Sequence, residues 1–325
     1  MPFQLSVSSR GKIKGANFPL EINLPDDATL GMLRNGIYHL VPHLTLDRQR
    51  VTDVQKKPLL GDEKRLVELG VKSGDSLQVK DLGAQISWRT VFLVEYVGNK
   101  LTKFGPLFIH PIVYLIAPEI WRYFGHPFQA SKLQEYVNIY SHRTTLILVM
   151  LHFLKRELET LFVHRFSNAT MPMFNIFKNS AHYWLLSGVL LAVGVYSPYH
   201  GDKAVRRTYS NNPMFIGCMV AIWALAELGN LHSHLILRSL RPAGSRVRKI
   251  PYGGLFSLVS CPNYFFEVLA WAAVTVLTSS FAALLFTIVS AAQMTIWAIK
   301  KHKAYHREFA GQYPKDRKIM YPFIF

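Results

Sequence analysis

The pattern of hydrophobic and polar residues changes along the chain at about residue 88. Before that point apolar and polar residues alternate in FQLSVSS (3–9) and FPLEINLP (18–25), which predicts two strands of a hairpin. The segment DDATLGMLRNGIYHL (26–40) then spaces its leucines and isoleucine as one helical face behind acidic residues. The first part of the chain is therefore predicted to be a small domain of strands around one helix.

Beyond residue 88 long apolar stretches replace the alternation. A helix that crosses a bilayer needs about 20 apolar residues. The first stretch is interrupted by GNKLTKFGP (98–106), so it divides into two short helices or counts as one. The sequence therefore predicts a multi-pass α-helical membrane bundle of six to seven transmembrane helices. The apolar stretches are roughly 90–121, 138–163, 180–198, 213–237, 253–278 and 280–299.

Composition and charge favour the same class of protein. Half of the 325 residues are apolar, and 37 Lys and Arg against 20 Asp and Glu give a net charge of +17. The basic residues cluster between or after apolar stretches, at 238–249 and 300–318, rather than on a soluble module. This distribution is typical of cytosolic loops of a membrane protein and argues against nucleic-acid binding. It places the N-terminal domain and the C-terminus in the cytosol.

Several classes of site are not supported by motifs. The two cysteines, Cys218 and Cys261, both lie in apolar segments, which excludes a disulfide framework and a cysteine-rich zinc site. The chain has no GxGxxG, P-loop or HExxH motif. We therefore expect no metal. The N-terminus has no apolar signal-peptide core, so the first spanning helix is expected to direct the chain to the membrane.

Polar and ionisable residues recur inside the apolar stretches, where each is a candidate functional residue. Many fall on single helical faces, at spacings of three, four or seven. They are His152, Lys155, Arg156 and Glu159; Asn230, His234, Arg238 and Arg241; Asn263 and Glu267 beside Tyr264; Glu95; and His302 with Tyr305. Internal ion pairs that hold helices together are one explanation. A shared polar cavity near the cytosolic face accounts for the four faces together, because paired charges inside a membrane contribute little net stability.

A dense run of basic residues adjoins one of these faces. Arginine guanidinium groups match phosphate oxygens in a bidentate geometry. The run therefore indicates either a phosphorylated cofactor or substrate that enters from the cytosol, or an ordinary positively charged loop. Its members are Arg238, Arg241, Arg246, Arg248 and Lys249.

The first 82 residues resemble a ubiquitin-like domain. Strand, strand, helix, short strands and a final strand follow one another in β-grasp order, and ELGVKSGDSLQV (68–79) carries most of the resemblance. No Gly-Gly pair follows as in ubiquitin. The resemblance therefore implies a docking or structural role rather than conjugation.

The remainder, residues 83–325, resembles the steroid 5α-reductase superfamily, and more narrowly the very-long-chain trans-2-enoyl-CoA reductases. The resemblance rests on FLVEY, KRELETLF, LRPAG, SCPNY and QMTIWA, which occur in this order. It implies a transmembrane catalytic domain of the endoplasmic reticulum that uses NADPH to reduce the 2,3 double bond of very-long-chain trans-2-enoyl-CoA. This reaction is the last step of microsomal fatty-acid elongation. The implied partners are the enoyl-CoA substrate, the lipid membrane and other elongation enzymes.

The resemblance also implies roles for individual residues. Tyr264 of the CPNY motif corresponds to the catalytic acid, and Lys155 and Glu95 to groups that polarise or orient the substrate. The implied cofactor-binding residues are Asn230, Arg238, Arg241, Asn263, Glu267 and Tyr305.

Three positions depart from the steroid reductases. Phe153 stands where those enzymes have a catalytic tyrosine, while His234 and Trp297 replace an aspartate and an arginine. A phenyl ring cannot donate a proton, which disfavours a 3-oxo-steroid mechanism. The alternatives are a steroid or polyprenol reductase of the same superfamily, and a non-catalytic membrane adaptor that carries a ubiquitin-like domain.

Overall fold

The computed structural model describes residues 3–98, 105–125, 140–166, 170–197, 212–242 and 248–325. This part of the chain is mostly helical and divides into two compact units. One unit holds the residues up to Trp88 together with the short segment around residues 170–172, and the other holds the remaining residues. The predicted domain boundary between residues 82 and 83 stays a prediction.

The N-terminal unit is built on a four-stranded mixed sheet. Strand β1 (Phe3–Ser9) pairs antiparallel with β2 (Leu20–Leu24) and parallel with β4 (Ser76–Asp81). Strand β3 (Gln49–Thr52) pairs antiparallel with β4, so the strand order is β2-β1-β4-β3. Alternate residues of β1 are buried, as its sequence pattern predicts.

Helix α1 (Leu30–Leu40) belongs to the hydrophobic core of this sheet. The hydroxyl of Thr29 caps its first turn by accepting a hydrogen bond from the Met32 N–H at 3.3 Å. The side chain of Leu40 is 54% exposed, so the apolar face ends one turn before the end of the helix. The buried residues of the helix are Leu30, Leu33 and Ile37.

A separate two-stranded sheet joins segments that are distant in the sequence. Strand β5 (Gln85–Ser87) pairs antiparallel with β6 (Thr170–Pro172). Each strand has three residues, which is too short for a recognisable alternation. The sequence pattern therefore did not predict this sheet.

The second unit consists of helices. Helix α2 spans Trp88–Tyr96, α3 spans Pro106–Tyr123, and α4 spans Tyr140–Leu158 and continues through a π-helical turn at Glu159–Val163. Helix α5 (Asn175–Ala181) continues through a π-helical stretch (His182–Leu190) into α6 (Leu191–Val195). Helices α7 (Pro213–Ser239), α8 (Pro262–Thr278) and α9 (Phe281–Glu308) complete the unit.

These helices overlap the predicted apolar stretches, although α8 begins only at Pro262 of the stretch predicted at 253–278. The first stretch forms two helices, because Gly105 caps α3 and Pro106 occupies its first turn. Among the helices that the structure describes, α7 and α9 are both long and apolar enough to cross a membrane. The protein is a membrane protein. The number of six to seven spans stays a prediction.

Helices α7 and α8 approach each other closely. A Cβ added at Gly229 would lie 2.6 Å from the ring of Phe266, so that ring would have to shift to make room for a side chain there. The next residue on α7, Asn230, is consequently held against the first two turns of α8. This close approach positions the polar groups described below.

Candidate active site

Polar side chains from α4, its π-helical turn, α7 and α8 meet inside the second unit. We call this set the buried polar network. Its members are His152, Lys155, Arg156, Glu159, Glu227, Asn230 and Glu267.

Lys155 lies at the centre of the network. Its Nζ contacts Glu227 Oε2 at 2.8 Å, Asn230 Oδ1 at 2.7 Å and Glu159 Oε1 at 3.4 Å. An ammonium group has three N–H bonds, and three oxygen atoms surround it here. Two of its donors therefore form hydrogen bonds to neighbouring side chains, and Glu159 adds an ion-pair contact.

Asn230 connects Lys155 to the start of α8. Its Oδ1 accepts from Lys155, and its Nδ2 donates to the Asn263 carbonyl at 2.8 Å and to Glu267 Oε2 at 3.1 Å. The amide thus uses its acceptor and both of its N–H bonds. Since these contacts define which end of the amide is oxygen, the orientation of Asn230 depends on Lys155.

His152 lies between two carboxylates. Its Nδ1 is 2.7 Å from Glu227 Oε1, and its Nε2 is 3.3 Å from Glu267 Oε1. Both ring nitrogens can donate only when the imidazole carries two protons. The geometry therefore favours an imidazolium, which balances part of the negative charge of Glu227 and Glu267.

Arg156 connects the network to helix α2. Its guanidinium donates to Glu159 Oε2 at 2.8 Å and to the Tyr96 hydroxyl at 3.2 Å. Glu159 Oε1 also lies 3.1 Å from His234 Nδ1. With His152 as imidazolium, three cations face three carboxylates, so the network is electrically neutral. A neutral, hydrogen-bonded arrangement is the condition under which buried charges are tolerated.

Glu159, His164 and His234 could in principle hold a metal ion, because their ligand atoms lie within 4.8 Å of one another. Lys155 and Arg156 already neutralise Glu159, so a divalent cation would meet two adjacent positive charges. A hydrogen bond between His164 and His234 at 3.4 Å and the ion-pair contact between Glu159 and His234 at 3.1 Å account for the arrangement without an ion. The absence of a metal stays a prediction.

Among the buried polar atoms that have no hydrogen-bond partner within the described ranges, three belong to residues of the predicted site. They are Asn263 Oδ1, Glu95 Oε1 and Arg241 Nε. A buried polar atom without a partner is costly and indicates a ligand that supplies one. A nicotinamide carboxamide has N–H donors for the acceptor of Asn263, and the phosphates of a dinucleotide suit an arginine. The residues present therefore fit a nicotinamide-type cofactor.

Tyr264 follows Asn263 but faces a different, apolar environment. Its ring lies 6.4 Å from that of Trp297 and packs against the cluster of Cys261, Met294, Ala298 and Met320. In the described part of the chain, its hydroxyl makes no hydrogen bond. An apolar wall beside a free phenol suits an acyl chain whose reacting end needs a proton.

Tyr305 belongs to a separate cluster near the C-terminus. Its ring stacks on that of Tyr313 at 5.3 Å, and the Tyr313 hydroxyl lies 2.6 Å from Ser260 Oγ. Burial raises the pKa of the Tyr313 phenol, which keeps it protonated at neutral pH. Ser260 also contacts His302 at 2.6 Å, so this cluster anchors the segment that leads into α8.

The structure brings together only some of the predicted site residues. Lys155, Asn230 and Glu267 are in direct contact, together with the backbone of Asn263. Glu95 is 1% exposed, and one of its carboxylate oxygens has no hydrogen-bond partner in the described ranges. Arg238 is exposed, Arg241 donates to the Arg165 carbonyl at 2.7 Å, and Arg246 lies outside the described residues.

Glu227 is the member of the network that sequence analysis did not single out. It precedes Asn230 by three residues and His234 by seven, so it lies on the same helical face of α7. This spacing was visible in the sequence and would have identified it.

Comparison with known proteins defines the class. Residues 169–325 match the family model of the 3-oxo-5-alpha-steroid 4-dehydrogenase domain. A Schizosaccharomyces pombe protein named as an enoyl reductase is 43% identical over 98% of this chain and 99% of its own length. The very-long-chain enoyl-CoA reductase of Dictyostelium discoideum is 40% identical over 82% of this chain and 79% of its own length.

Two further similarities concern parts of the chain. A Homo sapiens protein named trans-2,3-enoyl-CoA reductase-like is 30% identical over 82% of this chain and 69% of its own length. The solved structure of Caldiarchaeum subterraneum ubiquitin shows 24% identity and a TM-score of 0.23, and covers 26% of this chain and 98% of its own.

A helical membrane protein with a steroid-dehydrogenase-type domain around a buried polar network is an oxidoreductase of the membrane. The chain belongs to the very-long-chain enoyl-CoA reductase family. The resemblance drawn from the sequence motifs is confirmed. Membership of this family implies a nicotinamide-type cofactor.

Proposed function

We propose that this protein reduces the 2,3 double bond of very-long-chain trans-2-enoyl-CoA with NADPH, as the last step of fatty-acid elongation in the endoplasmic reticulum membrane. One observation carries the proposal. Asn263 presents an unpaired buried acceptor, and the adjacent Tyr264 presents a hydroxyl that none of the described residues engages. A cofactor-binding group and a proton donor thus follow one another at the start of α8.

The cofactor is assigned to the start of α8 and the end of α7. When bound, it supplies a hydride to the double bond. Asn263 accepts from the carboxamide, and Asn230 and Glu267 hold that end of α8 in place. Arg238 and Arg241 lie at the end of α7, where their guanidinium groups suit the phosphates of NADPH.

Tyr264 is the proposed proton donor. Reduction at C3 places negative charge on C2 and the thioester oxygen, and a positioned acid that delivers a proton lowers this barrier. A phenol with an ordinary pKa near 10 is protonated at neutral pH and can donate. Glu95, with one buried carboxyl oxygen unpaired, is proposed to orient the substrate. Lys155 completes the proposed site through its contact with Asn230.

Phe153 supports an enoyl-CoA rather than a 3-oxo-steroid substrate. Its ring is fully buried and packs against Tyr96 at 6.0 Å and Trp271 at 5.9 Å. The position at which steroid reductases have a catalytic tyrosine therefore carries a packing residue here. Among the catalytic residues that the family resemblance implies, Tyr264 is the one that carries a phenol.

The remaining assignments concern the location of the protein. We infer that the N-terminal unit is a cytosolic β-grasp domain, since two strands, a helix and two further strands follow one another along the chain as the sequence predicts. The C-terminus is proposed to lie on the same side, which requires an even number of spans, such as six. This arrangement leaves the N-terminal unit free to recruit other elongation enzymes.

The test is NADPH oxidation by the purified full-length protein in detergent with a long-chain trans-2-enoyl-CoA. Wild type should turn over, and Tyr264→Phe should lower kcat by about 10²- to 10⁴-fold, the usual contribution of a general acid. Tyr123→Phe is the matched control, because Tyr123 is 86% exposed at the end of α3. It should retain wild-type activity.

The outcomes separate the alternatives. Full activity of Tyr264→Phe would show that another group donates the proton. If the protein binds NADPH and reduces a steroid or polyprenol but no enoyl-CoA, it is a steroid or polyprenol reductase of the same superfamily. A folded protein that binds no NADPH would support the adaptor.

A further inference from the structure

Glu227 is buried at the junction of three helices, and no role has been assigned to it. Its two carboxylate oxygens are both engaged, Oε1 by His152 at 2.7 Å and Oε2 by Lys155 at 2.8 Å. The residue is 6% exposed, so solvent cannot replace either contact. Glu227 therefore fixes two cationic side chains of α4 from a single point on α7.

Lys155 acts on its neighbours rather than on a ligand in this arrangement. Its Nζ donates hydrogen bonds to Glu227 and Asn230, and Glu159 Oε1 adds an ion-pair contact at 3.4 Å. A substrate oxygen that took the place of Glu227 or Asn230 at Lys155 would break one of these two hydrogen bonds. Breaking the contact with Glu227 would leave a carboxylate with one partner fewer in a buried site, which is costly.

The contacts form a continuous chain from Glu227 to the proposed cofactor site. Glu227 holds Lys155, Lys155 donates to Asn230 Oδ1, and Asn230 Nδ2 donates to the Asn263 carbonyl. On the other side, Glu227 holds His152, and His152 holds Glu267 at 3.3 Å. Both branches end on the first two turns of α8.

We propose that Glu227 is a positioning residue of the reductase site. It holds Lys155 and His152 so that Asn230 and Glu267 keep α8 in the orientation that leaves the Asn263 amide oxygen open to the carboxamide of the cofactor. The proposal rests on the proposed function, because it assigns Asn263 to the cofactor. It also makes Lys155 a positioning residue, which acts through Asn230.

Loss of Glu227 should therefore affect cofactor binding more than substrate binding. Without it, Lys155 and His152 lose their common anchor, and the Asn230 amide is no longer held in one orientation. The side chain of Asn263 can then rotate and form hydrogen bonds with groups that had been engaged within the buried polar network. Tyr264 and its apolar wall make no contact with Glu227, so binding of the enoyl-CoA should change little.

The experiment compares wild type, Glu227→Ala and Glu227→Gln as full-length protein in detergent. NADPH affinity is measured by direct titration, independently of turnover, and KM is determined separately for NADPH and for a long-chain trans-2-enoyl-CoA. Glu227→Ala should weaken NADPH binding about 10- to 100-fold, the range typical of residues that orient a directly binding group. KM for the enoyl-CoA should stay within about twofold.

Glu227→Gln should recover much of the lost affinity, because its amide oxygen can still accept from Lys155 at the same position. Glu157→Gln is the matched control. It changes a partly buried carboxylate of the same helix as Lys155 that takes part in none of the network contacts. Its NADPH affinity should equal that of wild type.

The double variant Lys155→Met/Glu227→Gln guards against misfolding, since it removes one charge of each sign and keeps the network neutral. It should fold, and its NADPH affinity should be lower than that of wild type, because Asn230 no longer receives a hydrogen bond from Lys155. Wild-type affinity in Glu227→Ala or in the double variant would refute the proposal, as would a rise confined to KM for the enoyl-CoA. Failure of the proposed function is a separate result, in which wild type binds NADPH but reduces no enoyl-CoA.

Discussion

Arg156 offers the sharpest test of charge balance in the buried polar network. Its guanidinium bonds to Glu159 at 2.8 Å and to the Tyr96 hydroxyl at 3.2 Å, and the side chain of Glu159 is only 2% exposed. The variant Arg156→Met keeps most of the aliphatic stem and removes the charge. Any loss of stability should then come mainly from the carboxylate that is left behind.

The magnitude follows from the contacts that remain. Removing one partner of a buried ion pair typically costs 3–5 kcal/mol, because the other charge stays buried. Glu159 keeps Lys155 at 3.4 Å and His234 at 3.1 Å, so we expect the lower end, about 3 kcal/mol. Adding Glu159→Gln removes the excess negative charge. The double variant should therefore be more stable than Arg156→Met alone, by about 1–2 kcal/mol.

The assay is reversible unfolding of the detergent-solubilised protein by titration with a denaturing detergent, followed by far-ultraviolet circular dichroism. Arg122→Met is the control, because Arg122 pairs with Glu119 while both side chains are more than half exposed. Exposed pairs are worth about 0–1 kcal/mol, so this variant should resemble wild type. A double variant less stable than Arg156→Met would refute the reasoning, since it would show that Glu159 is not destabilised by the missing charge.

Two further predictions concern the N-terminal sheet and the packing of α7 on α8. The Arg48 guanidinium, which hydrogen-bonds to Asp81 at 3.0 Å, holds the pKa of that carboxyl below its usual value. The free energy of unfolding of wild type should therefore exceed that of Asp81→Asn by about 0.5–1 kcal/mol at neutral pH. This difference should disappear as the pH falls below about 4. Hydrogen exchange of the backbone amides of β3 and β4 measures it. Gly229→Ala should lower the unfolding free energy by about 1–3 kcal/mol, because the new methyl group meets the Phe266 ring. A methyl group added at Gly217 on the same helix would have no neighbour within 4 Å, so Gly217→Ala should leave the unfolding free energy unchanged. Equal unfolding midpoints for the two variants would contradict the prediction.

Helix positions could be predicted from the sequence because each depends on local information. The stretches expected at 213–237 and 280–299 became α7 at Pro213–Ser239 and α9 at Phe281–Glu308. In both, polar residues extend the helix beyond its apolar part, since backbone hydrogen bonds continue where hydrophobicity ends. For these two helices, hydropathy gives the position but underestimates the length.

The partners of the polar residues could not be predicted in the same way. Helical spacing suggested that Lys155 pairs with Glu159 on its own helix, and this contact exists at 3.4 Å. The shorter contacts of Lys155 are with Glu227 and Asn230, 72 and 75 residues away. Which helices lie side by side is decided by packing, and that is not encoded in any one helical face.

The sequence by itself determined the class of the protein, the positions of its apolar helices and the motifs that assign it to its family, because periodicity, composition and short motifs are local properties of the chain. Only the tertiary structure decided that Lys155 donates hydrogen bonds to Glu227 and Asn230. It also decided that the amide oxygen of Asn263 has no hydrogen-bond partner among the described residues. These properties arise where three helices meet. A hydrogen bond forms only when the distance between donor and acceptor is correct to within a few tenths of an ångström. Here the donor and the acceptor belong to residues that the sequence separates by dozens of positions.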